Sequence, residues 1–335
     1  MRVDVAKVFS LASTGVEHLP EPVARALFSL VADAVWALRA GGVDQLERNL
    51  ARVRPGLDRR GLRRLSRRGM RAYLRYYCEA FQLPRLSEDQ VRARVRAVGD
   101  GAVRETLAAG RSVVCALGHN GNWDLAGAWG AKNLGPVVTV AEHLEPEEVF
   151  QRFLDFRTAL GMTIIPFDKG SGVFRQLIRH ARTSASMVPL LADRDLTATG
   201  VEVDLLGHRA RVAPGPAALA LATGLPLHPT MIRHERLTGA RRRAAGSRWG
   251  IVIEFLPPVD RAGDGVGGDD GGADDGGADV ATLTQRWVDA LGARIRAHPA
   301  DWHMLQPVFL ADLDPDRLAR ASASAGPEGR AGEDR

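Results

Sequence analysis

Cysteine is nearly absent from this chain of 335 residues: Cys78 and Cys115 are the only two, each inside an apolar run (RYYCEAF and SVVCALG). That count excludes a disulfide scaffold, and no Cys/His spacing suggests structural zinc, so a reducing compartment fits. Lysine is almost as scarce, with Lys7, Lys132 and Lys169 the only three among 45 basic residues. Long uncharged runs are missing too. The longest candidate, Val212 to Ile232, spans 21 residues but is broken by Pro214, Pro216, Gly224, Pro226 and Pro229. A spanning helix needs about 20 continuous apolar residues, so this stretch reads as a short buried helix followed by a strand, and no transmembrane helix is expected. The first residues carry Arg2, Asp4, Lys7 and Glu17 without a long apolar core, unlike a signal peptide. Walker loops, GxGxxG, HExxH and GxSxG are all lacking, which counts against the usual NTPases, dehydrogenases, zincins and serine hydrolases.

What is present is ordinary in bulk and uneven in distribution. The apolar share of 45% and charged share of 25% are globular values and rule out global disorder. The length suits one α/β domain with a helical extension. Between Arg48 and Arg75 stand eleven arginines against one acid, Asp58, so this segment alone carries more than the whole formal charge of +5. Arginine forks bind phosphate bidentately, which leaves nucleic acid, anionic lipid and a phosphorylated cofactor as candidate partners. Codon bias accounts for the arginine excess but not for its clustering.

Residues 1–100 read as a helical, basic part, membrane-facing on one reading, with a core helix and a solvated basic helix as the alternatives. In it a Pro-started apolar helix covers 19–38, and a second helix over 58–82 repeats Leu62, Leu65, Met70, Tyr73, Leu74, Tyr77 and Phe81 among arginines. From 101 to 315 short β-branched runs alternate with helical patterns. Strands are expected at 112–117, 136–141, 163–167, 186–191, 225–232 and 250–256, with helices near 123–133, 147–160, 171–183 and 215–223. The fold class is therefore α/β, a central, mostly parallel sheet flanked by helices on both faces, with an N-terminal helical extension. Residues 262–279 form a Gly/Asp-rich stretch whose irregular period argues against a calcium repeat and for a flexible insertion. A final helix over 280–297 follows, and the tail from 321 to 335 reads as disordered.

The chemistry concentrates in GHNGNWD, residues 118–124. A strand delivers His119 to its carboxyl end, where ligand sites of α/β sheets lie. Asp124, five residues on, is placed to meet His119 across a tight turn and fix its tautomer, freeing the other ring nitrogen as a base. The same spacing recurs at His143 and Glu148, but without the strand–turn–helix context. No serine or cysteine stands beside the base, and Cys115 reads as core. Trp302 is expected to pack the C-terminal segment, and Trp123 and Trp129 to line an apolar groove or the core. The other histidines, His208, His228, His234, His298 and His303, read as isolated.

GHNGNWDLAGAW, TVAEHLEPEEVFQRFLDFRTALGM, LLADRDLTATGVEVDLLG and HPADWHMLQP together resemble the phosphatidylinositol mannoside acyltransferases, which group with the lipid A lauroyl/myristoyl acyltransferases. The resemblance runs from about residue 18 to 315. It implies a glycerolipid-acyltransferase-like fold and transfer of a fatty acyl chain, palmitoyl in the first instance, from acyl-CoA to a mannose hydroxyl. It carries over His119 and Asp124 as catalytic residues, and puts the family's second acid, a glutamate, on Asp193, one methylene shorter. Glu142 and Arg157 match active-site positions of the family on the substrate side; Arg194 is a candidate for engaging phosphate or developing negative charge, with an ion pair to Asp193 or Asp195 the alternative. No metal or cofactor is implied beyond acyl-CoA as co-substrate. The expected partners are acyl-CoA, the phosphatidylinositol mannoside and an anionic membrane surface at the cytoplasmic face of the plasma membrane, with no nucleic acid. The competing readings are another lipid acceptor, lipid A-like or lysophosphatidate, and a basic nucleic-acid-binding protein.

Overall fold

The computed structural model describes residues 16, 19–142, 147–167, 172–195, 200–260 and 279–313. The Gly/Asp-rich stretch, the C-terminal tail and His143 lie outside the described residues, as does the side chain of Glu142.

Four helices come first: α1 (Glu21–Ala37), α2 (Val43–Val53), α3 (Arg59–Gln82) and α4 (Glu88–Arg94). Their starts are written locally. Asp58 caps α3 by accepting from the Gly61 amide at 2.6 Å, and Ser87 with Gln90 forms a capping box at α4. α1 lies along α3, with Phe28 against Phe81 at 6.2 Å between ring centres. The charges of α1 are all spent on this packing: Glu21 pairs with Arg94, Arg25 with Glu79, and Asp33 with both Arg67 and Arg71. α2 and α3 close over Leu46, Leu50, Leu65 and Met70.

The sheet then builds from β1 (Val95–Val98), β2 (Val113–Leu117), β3 (Val137–Glu142), β4 (Met162–Phe167), β5 (Met187–Leu191), β8 (Leu227–Arg236) and β9 (Trp249–Phe255). Their spatial order is β1-β9-β8-β2-β5-β3-β4. β8, β2, β5, β3 and β4 run parallel, whereas β9 returns antiparallel from β8 and takes β1 with it. Every residue of β2 is buried, as a strand covered on both faces requires. Its side chains alternate between two cores. Val114 and Ala116 join Leu177, Leu219, Trp287 and Leu291 on one face, and Val113, Cys115 and Leu117 join Leu125 and Trp129 on the other.

The connecting helices are α5 (Gly101–Ala108), α6 (Trp123–Asn133), α7 (Glu147–Ala159), α8 (Val173–Thr183), α9 (Gly215–Thr223), α10 (Gly239–Ala245) and α11 (Val280–Ala297). The α/β class, the helices on both faces and the helical N-terminal part agree with the sequence pattern. Three features depart from it. β1 lies inside the stretch expected to be wholly helical and pairs with β9. β8 runs on to Arg236, beyond the apolar run that signalled it. A separate antiparallel hairpin, β6 (Val201–Leu205) and β7 (His208–Val212), turns through Leu206 at φ 59°. Among the described residues, no helix is long and apolar enough to cross a membrane.

Candidate active site

β2 and β5 are neighbours, paired so that Leu117 stands opposite Leu191. The residue two past each strand end is therefore at the same level on the sheet's carboxyl edge, and these residues are His119 and Asp193. The Asp193 carboxylate takes both hydrogen-bonding groups of His119. One oxygen meets Nδ1 at 2.6 Å, and the other accepts the backbone amide at 2.9 Å. The indole N–H of Trp302 donates to that second oxygen at 2.8 Å. Burial alone would raise the Asp193 carboxyl, but the His119 ring and the Trp302 and amide donors hold it below its ordinary value. Nε2 of His119 has no partner among the described residues, and the side chain is 31% exposed.

This corrects the expected pairing of His119 with Asp124. The α6 helix begins at Trp123, capped by the Asn122 side chain on the Leu125 amide. Asp124 thus falls in the first turn, on the buried face of the helix. There it accepts from Tyr76 Oη at 2.8 Å and pairs with Arg157 Nε at 2.8 Å. Burial opposes the charge on Arg157, but Asp124 and then Tyr76 outweigh it and raise its pKa. Arg157, expected on the substrate side, is thus tied to Asp124. Arg194 follows Asp193 and donates to Gln306, not to Asp193, whose oxygens are already taken. Glu142 ends β3 on the same edge of the sheet.

The turn that carries His119 is held from below by the C-terminal run Asp301-Trp302-His303. The His303 amide donates to the His119 carbonyl at 2.8 Å, and the Gly121 amide to the Asp301 carbonyl at 3.0 Å. Nε2 of His303 donates to the Gly121 carbonyl at 3.0 Å. Burial, and then the charge of His234, pushes His303 down to about 3, so it stays neutral. His234 is different. It sits between Asp301, at 2.7 Å from Nδ1, and Glu79, at 3.5 Å from Nε2. Burial works against its charge, yet these two carboxylates raise its pKa, while its proximity helps to lower theirs. Glu79 also accepts from Asn122 at 3.0 Å, so the network reaches the motif itself.

Four residues here escaped sequence reasoning. Tyr76 lies off the apolar stripe of α3, and His234 and His303 carry no ligand spacing. Trp302 does pack the C-terminal segment as expected, but its indole also holds the acid. Cys115 is core, its thiol pushed up to about 12 by burial, which suits no nucleophile. Among the described residues no cluster of His, Cys, Asp and Glu is arranged to hold a metal ion. A histidine with one nitrogen fixed on a carboxylate and the other free can take a proton from a hydroxyl brought to the sheet edge.

An α/β sheet with a His–Asp pair on its carboxyl edge is an enzyme-like scaffold with base chemistry built in. The sequence matches the bacterial lipid A biosynthesis acyltransferases over residues 7–311, and the chain belongs to that family of acyl-transferring enzymes. It is 37% identical over 308 residues to the phosphatidylinositol mannoside acyltransferase of Mycolicibacterium smegmatis, covering 91% of each chain. The protein of that name from Mycobacterium tuberculosis is also 37% identical, over 91% of this chain and 88% of its own.

Two outcomes follow from the geometry. A Cβ on Gly118 would lie 2.3 Å from Asn120 Oδ1 and 2.9 Å from Asp193 Oδ2, so Gly118→Ala pushes the carboxylate off the histidine. The variant should fold but lose transfer activity by at least tenfold, and unchanged turnover would show that the contact is dispensable. Secondly, the pKa of His234 in the fold lies above its ordinary 6.5, so its stabilising contribution is present below that value and fades as pH rises through the folded pKa. The two acids are lowered, so their contribution is present at pH 5.5. Breaking such a buried arrangement costs on the order of 3 kcal/mol. Chemical denaturation of His234→Gln should therefore reveal a larger loss at pH 5.5 than at pH 9; equal losses would mean that His234 is neutral throughout.

Proposed function

We propose that this acyltransferase moves a fatty acyl chain, palmitoyl in the first instance, from acyl-CoA to a mannose hydroxyl of a phosphatidylinositol mannoside. The observation that carries the reading is the His119–Asp193 pair with a free, accessible Nε2, set in a chain similar along nearly its whole length to relatives of that name. Asp193 holds the Nδ1–H tautomer. Nε2 then takes the proton of the attacking hydroxyl as its oxygen bonds to the thioester carbon. The C–S bond breaks, and the proton passes to the departing thiolate, giving an ester and free CoA thiol. No acyl-enzyme is needed, because both cysteines are buried away from the base. Asp124 and Arg157 position α6 behind the base, and Glu142 and Arg194 serve on the substrate side.

The experiment is mass spectrometry of products from purified protein given palmitoyl-CoA with mannosylated phosphatidylinositol, a lipid A-like acceptor or lysophosphatidate. Acylation of the mannoside alone is expected. Preferential acylation of either other acceptor would overturn the acceptor assignment. His119→Ala should lower turnover by about 10²- to 10⁴-fold, and Asp193→Asn comparably, because an amide stabilises the wrong tautomer. A folded His119→Ala variant with near-normal turnover would sink the mechanism.

We also infer that the protein works peripherally at the cytoplasmic face of the plasma membrane, on an anionic surface. The support is α1. Val23, Leu27, Leu30, Val31 and Leu38 are exposed, Leu30 by 68% and Leu38 by 79%, while every charge on the helix is engaged in the ion pairs described above. An uncharged exposed helix face suits the lipid interface. Arg59, Arg60, Arg64 and Arg68 of α3 are exposed as well and have no carboxylate partner among the described residues. Near an anionic surface each is worth about 1 kcal/mol. Leu30→Asp should thus weaken binding to vesicles containing anionic phospholipid even at high salt, whereas replacing the four arginines by glutamate should weaken it chiefly at low salt. Unchanged sedimentation with vesicles in both variants would remove α1 and α3 as the docking face.

A further inference from the structure

β8 pairs with β2 only as far as Thr230, opposite Leu117, so the hairpin of β8 and β9 runs on past the edge that carries His119. Its far end pairs Arg236 with Trp249. His234, two residues back along β8, lies on the same face as Arg236, and its ring meets Trp249 edge-on at 6.2 Å. α3 packs over this face and lowers Arg75 onto the indole, its guanidinium carbon 3.6 Å from the ring centre; that of Arg236 is 4.3 Å away.

Two guanidinium groups on one indole repel each other, and their surroundings do not compensate for it. Burial, with help from Arg25 and Arg236, pulls the Arg75 pKa down to about 10 against the pull of Glu79 and Asp301. Both acids are already committed, Glu79 to Arg25, Asn122 and His234, and Asp301 to His234. Arg25, Arg94 and Arg157, the other inward-turned arginines near the site, each have a carboxylate within 3.0 Å. Among the described residues neither Arg75 nor Arg236 has a hydrogen bond or an ion pair. Stacking uses the face of a guanidinium and leaves its in-plane N–H groups unused, in an orientation fixed by the ring. Such a pair of forks matches the oxygens of a phosphate.

We propose that Arg75, Arg236 and Trp249 form a phosphate-binding subsite. It is connected to the candidate base by four ring contacts, Trp249 to His234, His234 to His303, His303 to Trp123 and Trp123 to His119, at 6.2, 6.4, 6.3 and 5.8 Å. A substrate reaching from this subsite to His119 must therefore be extended, with its phosphate well removed from the reacting carbon or hydroxyl. Two sources have that form, the nucleotide phosphates of acyl-CoA and the phosphodiester of a phosphoinositide acceptor. Naming these sources rests on the acyl-transfer reading; the subsite itself does not.

Calorimetric titration at low salt tests it, with adenosine 3′,5′-bisphosphate and glycerophosphoinositol as separate probes. At least one should bind the full chain and bind Arg75→Gln and Arg236→Gln at least tenfold more weakly, while Arg63→Gln, an equal loss of charge elsewhere on α3, leaves binding unchanged. The probe that binds identifies the source. Arg236 is exposed, so its variant remains informative even where Arg75→Gln fails to fold. The subsite is overturned when neither probe binds, when Arg236→Gln binds as tightly as the original chain, or when Arg63→Gln weakens binding equally. A protein that binds a probe through these arginines but acylates no acceptor would refute the acyl-transfer reading alone. One that acylates normally, with both probes indifferent to the substitutions, would refute the subsite alone.

Discussion

The hydrogen bond between the Asp193 carboxylate and the His119 ring, 2.6 Å long, is the contact around which the rest of the chain is arranged. It requires two strands distant in sequence to be parallel neighbours in strict register, because a one-residue slip would turn one partner to the other face of the sheet. It also requires the acid to stay ionised while 3% exposed. A buried carboxylate is costly unless its oxygens are satisfied. The ring, the His119 amide and the Trp302 indole together satisfy them. The short side chain of aspartate suits this bidentate hold on the backbone and ring of one residue.

Much of this was legible in the sequence, and the limits have physical causes. The parallel strands announce themselves as short apolar runs because both faces are covered, so β2 and β5 emerged with their ends nearly right. Position at a strand end put His119 on the sheet's carboxyl edge, where it stands. The Asp124 pairing failed because spacing along a chain does not say where a helix begins. Asn122 caps α6 two residues before Asp124, and that cap turns Asp124 toward Tyr76 and Arg157. β1 is only four residues long, too short for periodicity to separate it from the helix before it. The β6–β7 hairpin turns through a leucine at positive φ, without the Asn-Gly or Asp-Gly signal that such turns usually carry. Trp302, His303 and His234 reach the motif only through tertiary packing, and nothing in their local sequence records that.

The C-terminal run explains why the motif is a stable turn. Backbone bonds from Gly121 and His303 close it against residues 301–303, and the His234 ring between Asp301 and Glu79 clamps that run to α3. These groups bond to the backbone of the His119 turn and to Asn122, and not to the His119 ring. Their chemistry is positional: they set where the imidazole stands before any substrate arrives, which is the preorganisation that base catalysis depends on.

The arginine segment changes meaning once it is folded. As a string of eleven cations it suggested one continuous basic face, open to nucleic acid or lipid. In the fold those cations have separate duties. Arg52 is bound to Asp312, Arg63 to Glu47 and stacked on Trp36, and Arg67 and Arg71 to Asp33. Exposed ion pairs of this kind contribute little stability each, but they remove charge from the field that a distant polyanion would meet. What is left is divided between exposed arginines from α2 into the start of α3, Arg48 and Arg54 included, and the stacked Arg75 further along α3. A duplex needs a continuous basic surface, so this division weighs against nucleic acid. It fits a protein whose one long helix meets an anionic surface at one end and holds the His119 turn through Tyr76 and Glu79 at the other.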